Sequence, residues 1–380
     1  MSHDNLGEGL AGTALYEMVA ARAREDWAAA HAAAKAVTAR PVTAHPQEAS
    51  LYHGAPAVAY VLHLGGHRAY ARALAELDAE VTAIVTDRLN AAARRMDSTM
   101  PPTLREYDLI SGLTGLGAYL LHRGRDTVLD QVLHYLVRLI TEPLTVDGHQ
   151  VPGWWAATGP SGTPETGRFA HGHANFGIAH GIAGPLALLA LAHRAGHTVD
   201  GQEQALAEGI AHLTAWAQPL TGHGVGWPGI LPLNAYRRGP VPGTEPARPS
   251  WCYGTPGIAR ALQLAGLALH DADARRLAEH TVLGTVTDSR QLAQLADPSL
   301  CHGWAGLLLT ADRIASDAIA PDLTGELPAL RTHLSNHMVQ HAIPESAGLL
   351  SGNAGVLLTL HTLSTNRPSI PGWETCLLLN

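Results

Sequence analysis

Lysine is almost missing from this sequence. Lys35 is the only one, and every other cationic side chain is an arginine or one of 23 histidines. Lysine Schiff-base chemistry and a phosphate-binding P-loop are therefore close to excluded, since both need a lysine at the site. Phenylalanine is nearly as scarce, with two residues, and aromatics make up 5% in all. Ala and Leu fill the apolar positions instead, which favours closely packed helices over a β-sandwich. The three cysteines, Cys252, Cys301 and Cys376, are odd in number and far apart. They do not read as a secreted disulfide framework and suit a reducing cytoplasm. No apolar run reaches the roughly 18 residues that a membrane span requires, and the acidic, His-containing N-terminus does not resemble a signal peptide. Charge is also sparse, at 15% of residues with a net of -8, which argues against a nucleic-acid footprint.

What the chain does have is apolar mass: 46% hydrophobic residues over 380 positions, enough to bury a large core and to set disorder aside. The length allows one large domain or two to three ordinary ones. A repeat organises it. Gly-x-x-Gly or Gly-x-x-Ala recurs before an apolar helical run at Gly54–Ala57, Gly112–Gly115, Gly181–Gly184, Gly254–Gly257, Gly303–Gly306 and Gly352–Gly355, with steps of 58, 69, 73, 49 and 49 residues. About 50 residues accommodate two helices and their connections. Gly9–Gly12 is a seventh candidate, although Thr13–Ala34 reads equally well as an outer helix.

Runs directly after the element are apolar all round, such as Leu186–Ala192 and Gly355–Leu363. Intervening stretches are one-faced, as in 128–141, where Leu129, Val132, Leu133, Leu136 and Leu139 align. The pattern predicts an inner ring of helices wrapped by an outer ring, with glycines easing close approach where inner helices begin. An open α-solenoid is the plainer alternative. The Pro- and Gly-rich stretches 143–172 and 222–249 are long for plain connections and read as functional loops. In the second, Gly226-Trp-Pro-Gly229 reads as a turn. No linker divides the chain, so residues 1–380 are expected to form one domain.

Chemistry concentrates beside three of the small-residue elements: Arg248-Pro-Ser-Trp-Cys252-Tyr253-Gly254, Cys301-His302-Gly303 and Ala179-His180-Gly181. Adjacent helical residues point apart, so Cys301 and His302 can share a metal only from the non-helical turn before the helix. If neighbouring turns meet, Cys252, Cys301 and His302 make a Cys2His set that suits zinc and leaves a fourth position open. A single buried cysteine is more often a small core residue. Two cysteines at equivalent repeat positions raise the metal reading.

Trp251-Cys252-Tyr253-Gly254, Cys301-His302-Gly303 and Asn175-Phe-Gly-Ile-Ala-His180-Gly-Ile-Ala-Gly184, in this order and rough spacing, resemble the lanthionine synthetase C-like family from about Leu51 to the Trp373–Leu379 stretch. The resemblance implies an all-α fold, an α/α toroid of about seven inner and seven outer helices with its active site at the mouth of the inner ring. It implies one zinc ion on Cys252, Cys301 and His302, an acid/base histidine at His180, and an active-site arginine and tyrosine at Arg248 and Tyr253. It places the family's aspartate at Asp108. Pro185 and Ala57 depart from the pattern at helix starts, where Pro is tolerated. The stretch between Gly54 and Gly112 leaves little room for the small extra domain of some relatives.

The activity so implied is the addition of a peptide cysteine thiol to dehydroalanine or dehydrobutyrine, forming a (methyl)lanthionine ring. A free thiol titrates near 8.5 and only its thiolate attacks; zinc supplies the deprotonation. The enolate that results needs stabilisation, for which Arg248 is placed, and then a proton, for which His180 suits neutral pH. Asp108 either orients His180 or caps a helix; Tyr253 either holds substrate or packs. A cytoplasmic cyclase of this kind takes a dehydrated precursor peptide and is expected to rely on a separate dehydratase. Two other readings use the same chain: addition of glutathione or another small thiol to dehydroamino acids in proteins, separable by product mass, and a non-catalytic peptide-binding scaffold, which has no need of a ligand set. A toroidal glycosidase would show paired carboxylates at the turns, and none is evident.

Overall fold

The computed structural model describes residues 3–124, 126–220, 224–241, 247–340, 346–364 and 372–380. The main helices are α1 (Leu10–Arg24), α2 (Ala28–Val37), α3 (Ala55–Gly65), α4 (Ala71–Asp97), α5 (Leu113–Arg123), α6 (Asp126–Thr141), α7 (Ala183–Arg194), α8 (Gln202–Trp216), α9 (Thr255–Ala268), α10 (Ala272–Thr287), α11 (Trp304–Ser316), α12 (Asp322–Gln340) and α13 (Asn353–Ser364). Odd-numbered helices contact one another in sequence, and α13 returns to α1, so seven helices close a ring. Each even-numbered helix packs outside the odd one that precedes it in the chain. The result is an α/α toroid.

Hydrophobic pattern explains the sorting. In α7 every residue from Ala183 to Ala192 is buried, because neighbours cover it on all sides. Leu129, Val132, Leu133, Leu136 and Leu139 of α6 are buried on the predicted face. The Thr13–Ala34 stretch is two helices: α1 ends at Glu25, which turns left-handed with φ 59°, and α1 itself belongs to the inner ring. The expectation of seven helices in each ring holds for the inner one. Among the described residues six outer helices are present, because α13 is followed by residues outside the description and then by the short 3-10 turn Trp373–Leu377.

The repeated element folds as a tight turn before each inner helix. Neighbouring turns are laced by backbone hydrogen bonds, each N–H donating to a carbonyl of the next turn: Leu109 to Ala179 (3.1 Å), Ala179 to Cys252 (3.2 Å), Cys252 to Cys301 (3.2 Å), Cys301 to Leu350 (2.9 Å), Leu350 to Gly7 (2.8 Å) and Leu6 to Tyr52 (2.9 Å). The lace satisfies backbone groups that ring closure removes from water. The second glycine packs against its own turn: a Cβ on Gly306 would overlap the Leu300 carbonyl oxygen, and one on Gly257 that of Trp251. The first repeat differs, since Gly54 has φ +76° and Ala57 is accommodated without exposure.

The C-terminal stretch fills the ring. Trp373 and Cys376 to Leu379 are fully buried. Tyr52, in the turn before α3, donates to the Cys376 carbonyl (2.6 Å), Trp251 to that of Leu377 (3.1 Å) and Arg260 of α9 to that of Leu379 (2.9 Å). The first long loop carries the antiparallel pair 144–146 with 149–151, residues 230–232 of the second pair with 173–175 just beyond the first, and Gly226–Gly229 forms no helix.

Candidate active site

Side chains at the laced turns share one end of the ring. Cys252 and Cys301 both lie two residues before the first glycine of their elements, and His180, Tyr253 and His302 one residue before. Helix α11 starts at Trp304 with Gly303 as its N-cap, so Cys301 and His302 sit in the non-helical turn, as sharing a metal requires. Ring closure does the rest: one donor atom from each of Cys252, Cys301 and His302 lies within 4.8 Å of the others. These three donors can hold a metal ion.

The electrostatics agree with that use. The Cys252 thiol is drawn down to about 5 by hydrogen bonding from Cys301 against the cost of burial, with His302 and Ser250 assisting. Cys301 is pushed up, first by sharing its proton with Cys252 and then by burial. Hydrogen bonding to Cys252 raises His302, against burial. The pair therefore keeps one proton between two sulfurs, a proton that a soft divalent cation would replace. Cys376 is apart from them, inside the C-terminal stretch, where burial pushes it up to about 12.

Beside this cluster, His180 Nδ1 donates to Asp108 Oδ2 at 2.5 Å. Burial pulls the His180 pKa down, but the hydrogen bond and charge of Asp108, with the charge of Cys252, leave it raised overall. Asp108 Oδ1 accepts from the Ser111 N–H at 2.6 Å. Asp108 is not the helix N-cap, which is Gly112 without a side-chain cap bond; one of its oxygens fastens the turn before α5 and the other meets the imidazole. The Tyr253 ring lies 5.7 Å from that of His180 at 30°, and burial followed by the charge of Cys252 raises its hydroxyl. Tyr253, Cys252 and Arg248 line one cavity of about 370 Å³ with Ser250, Ala247 and Gln294. Arg248 is exposed at its rim.

Three further polar residues of the site are not named as candidates by the sequence, although Asn175 opens the motif that carries His180. Asp297 Oδ2 stands 3.5 Å from His302 Nε2, while its Oδ1 accepts from the Ser299 N–H at 2.8 Å. Asn175 is fully buried, with Oδ1 accepting from the Gly177 N–H at 3.0 Å. Gln294 reaches the cavity from the short helix Ser289–Leu292 and the turn after it. Neither Asp297 nor Gln294 follows the repeat: Asp108 stands four residues before the first glycine of its element and Asp297 six.

Comparison with known proteins agrees with this architecture. The chain matches the family described as Lanthionine synthetase C-like protein over residues 1–378. It is similar to the nisin biosynthesis protein NisC of Lactococcus lactis subsp. lactis, at 23% identity over 334 residues, which is 87% of this chain and 77% of that protein. Among solved structures it resembles nisin cyclase, with a TM-score of 0.79 and 22% identity over 100% of this chain and 92% of the other. At that identity the structural likeness speaks for the fold.

Proposed function

This chain belongs to the lanthionine synthetase C-like family, and from that premise we propose that it is a zinc-dependent cyclase. It would join cysteine thiols to dehydroalanine or dehydrobutyrine within one ribosomally made peptide, giving (methyl)lanthionine rings. The observation that carries the reading is the meeting of a Cys2His donor set with a half-buried histidine on a buried aspartate, on adjacent turns at one mouth of the ring. The relative named for nisin biosynthesis supports a peptide as substrate.

Cys252, Cys301 and His302 would hold the zinc, a fit supported by two soft thiol donors and one imidazole. Bound there, the ion would supply a substrate thiol as thiolate at neutral pH. The other residues act on the peptide. Attack at the β-carbon of the dehydroamino acid places charge on an enolate oxygen, and the exposed Arg248 guanidinium at the cavity rim is positioned to offset it. Asp108 keeps Nδ1 of His180 as a donor, which leaves Nε2 to deliver the proton to the α-carbon. Tyr253, lining the same cavity against His180, positions substrate beside the imidazole.

The wider reading follows the same premise. We place the reaction in the cytoplasm, where the three free cysteines stay reduced. Residues 1–380 act as one domain with one zinc, and a separate dehydratase prepares the peptide. No described helix is long and apolar enough to cross a membrane.

Metal analysis and mass spectrometry test it. Purified protein is expected to carry near-stoichiometric zinc, lost in Cys301→Ala together with ring formation. His180→Ala is expected to keep zinc and slow cyclisation of a dehydrated peptide by about 10²- to 10⁴-fold. Protein free of zinc, or wild-type rates in His180→Ala, would sink the mechanism. Running the assay with glutathione present separates ring closure, which leaves the mass unchanged, from small-thiol addition, which raises it.

A further inference from the structure

Outside the ring mouth, a cavity of about 710 Å³ lies between α4, the 45–47 stretch and the turn 103–106. Its lining includes Arg88, Arg94 and Arg105, with His45 and Gln47 opposite. Among the described residues none of the three arginines pairs with a carboxylate, although the whole chain carries a net charge of -8. Glu106, also in the lining, is already taken by Arg95 at 2.6 Å and by the Tyr135 hydroxyl at 2.8 Å. Asp87 is the one remaining acid of the lining.

Arg88 makes the charge imbalance costly. Its guanidinium is bound by carbonyls alone: Nε donates to Pro46 (2.6 Å), Nη1 to Ser111 (2.5 Å) and Arg105 (3.3 Å), and Nη2 to Ala49 (2.8 Å). Burial, with the like charge of Arg105, lowers its pKa to about 10, and the charge of Asp108 on the mouth side of the turn offsets this only in part. Carbonyl dipoles satisfy the hydrogen bonds of a cation but do not neutralise it. Arg94 and Arg105 stand more exposed, and Arg105 spends Nη2 on the Gln47 carbonyl at 2.7 Å. Their remaining N–H groups face a space that an anion would complement.

We propose that this cavity is a second binding site, for a carboxylate-bearing stretch of the peptide substrate outside the residues that react. The proposal rests on the reading of the substrate as a peptide. Its position supports the assignment: the Ser111 carbonyl that Arg88 holds belongs to the same turn as Asp108, so the cavity and the mouth share that turn. A chain lying over that turn can engage both places. Holding the substrate remote from the reacting atoms raises the effective concentration of its several thiols at one metal site.

The test uses a fluorescein-labelled octapeptide of alternating Glu and Ser, free of cysteine and dehydroamino acids, and its Gln/Ser counterpart. Anisotropy with the zinc-loaded full chain is expected to show the acidic probe bound at least about tenfold more tightly than the neutral one, with affinity falling as salt rises. Arg94→Glu/Arg105→Glu is expected to abolish the preference and Arg94→Gln/Arg105→Gln to weaken it, both with unchanged zinc content and helicity. Arg276→Glu, on exposed α10, controls for net charge and is expected to leave binding intact. Equal binding of the two probes overturns the proposal. So does an equal loss in Arg276→Glu, or full displacement by millimolar inorganic phosphate, which would mark a small-anion site. The probe cannot form a thioether, so a chain that binds it but makes no ring refutes the cyclase reading and leaves this site standing.

Discussion

Asp108 is 1% exposed and spends its two oxygens on different tasks, one on the Ser111 N–H and one on His180 Nδ1. Removing its charge separates the two tasks. Asp108→Asn can keep the turn while losing the charge that raises His180. The raised pKa keeps the imidazole protonated to higher pH than a free histidine, so the alkaline limb of the cyclisation profile is expected to move to lower pH in the variant. Stability carries the same sign. A folded pKa above the unfolded one stabilises fully below about 6.5 and loses that contribution as pH rises through the folded value. Denaturant midpoints measured on both sides of that window check it; an unchanged pH–rate profile would show that Asp108 only caps the turn. Asp297 is the parallel case beside the metal donors. Its 3.5 Å approach to His302 Nε2 leaves Nδ1 for the donor cluster. Asp297→Asn is expected to weaken zinc binding by about 10- to 100-fold in a chelator competition, with the fold intact.

At the scale of the element, the small-residue turn explains why chemistry recurs at fixed offsets. The first glycine caps the inner helix in α3, α5, α9 and α11 and stands one residue before the cap in α7; the second lets the helix settle onto the turn's own carbonyl, so the residues one and two places earlier are presented at the mouth. Gly306 shows the constraint most directly, because a methyl group there would meet the Leu300 carbonyl oxygen, one residue from Cys301. Gly306→Ala is expected to cost about 1–3 kcal/mol by overpacking and to loosen zinc, since the displaced backbone carries two donors. Denaturant unfolding and metal titration read the two effects separately. Glycine was expected to serve approach between helices; the closest demand is within one repeat, where a carbonyl folds back toward the helix start. Gly12 meets the backbone of the neighbouring turn at Gly348–Leu349 as well, so both uses occur.

Across the whole molecule, closure and filling are separate problems. The backbone lace and the odd-numbered helices close the ring, while the C-terminal stretch occupies its interior. Trp373 is fully buried and its indole N–H donates to Thr362 Oγ1 at 2.9 Å, and Tyr60 of α3 donates to the Gly372 and Trp373 carbonyls at 2.8 Å each. Trp373→Ala is expected to cost about 3–5 kcal/mol, read as a lowered denaturant midpoint, while Cys252, Cys301 and His302 remain assembled at their turns. An unchanged midpoint would mean that the ring stands without this filling.

Much of this was legible one residue at a time. Helical periodicity sorted α6 from α7 because a helix covered on one side needs one apolar face and a helix covered on all sides needs several. The turn positions of Cys301 and His302 followed from the chain's own geometry, since adjacent side chains cannot share a metal from within a helix. The spacing of the glycines therefore determined which residues are displayed. It could not determine which displayed residues meet. Cys252 and Cys301 are neighbours because α9 packs on α11, and Asp108 reaches His180 because α5 packs on α7. Asp297, Gln294 and the buried C-terminal stretch follow no short-range rule. Their places depend on the volume and hydrogen bonds left over once seven helices have closed, which only the tertiary structure decides.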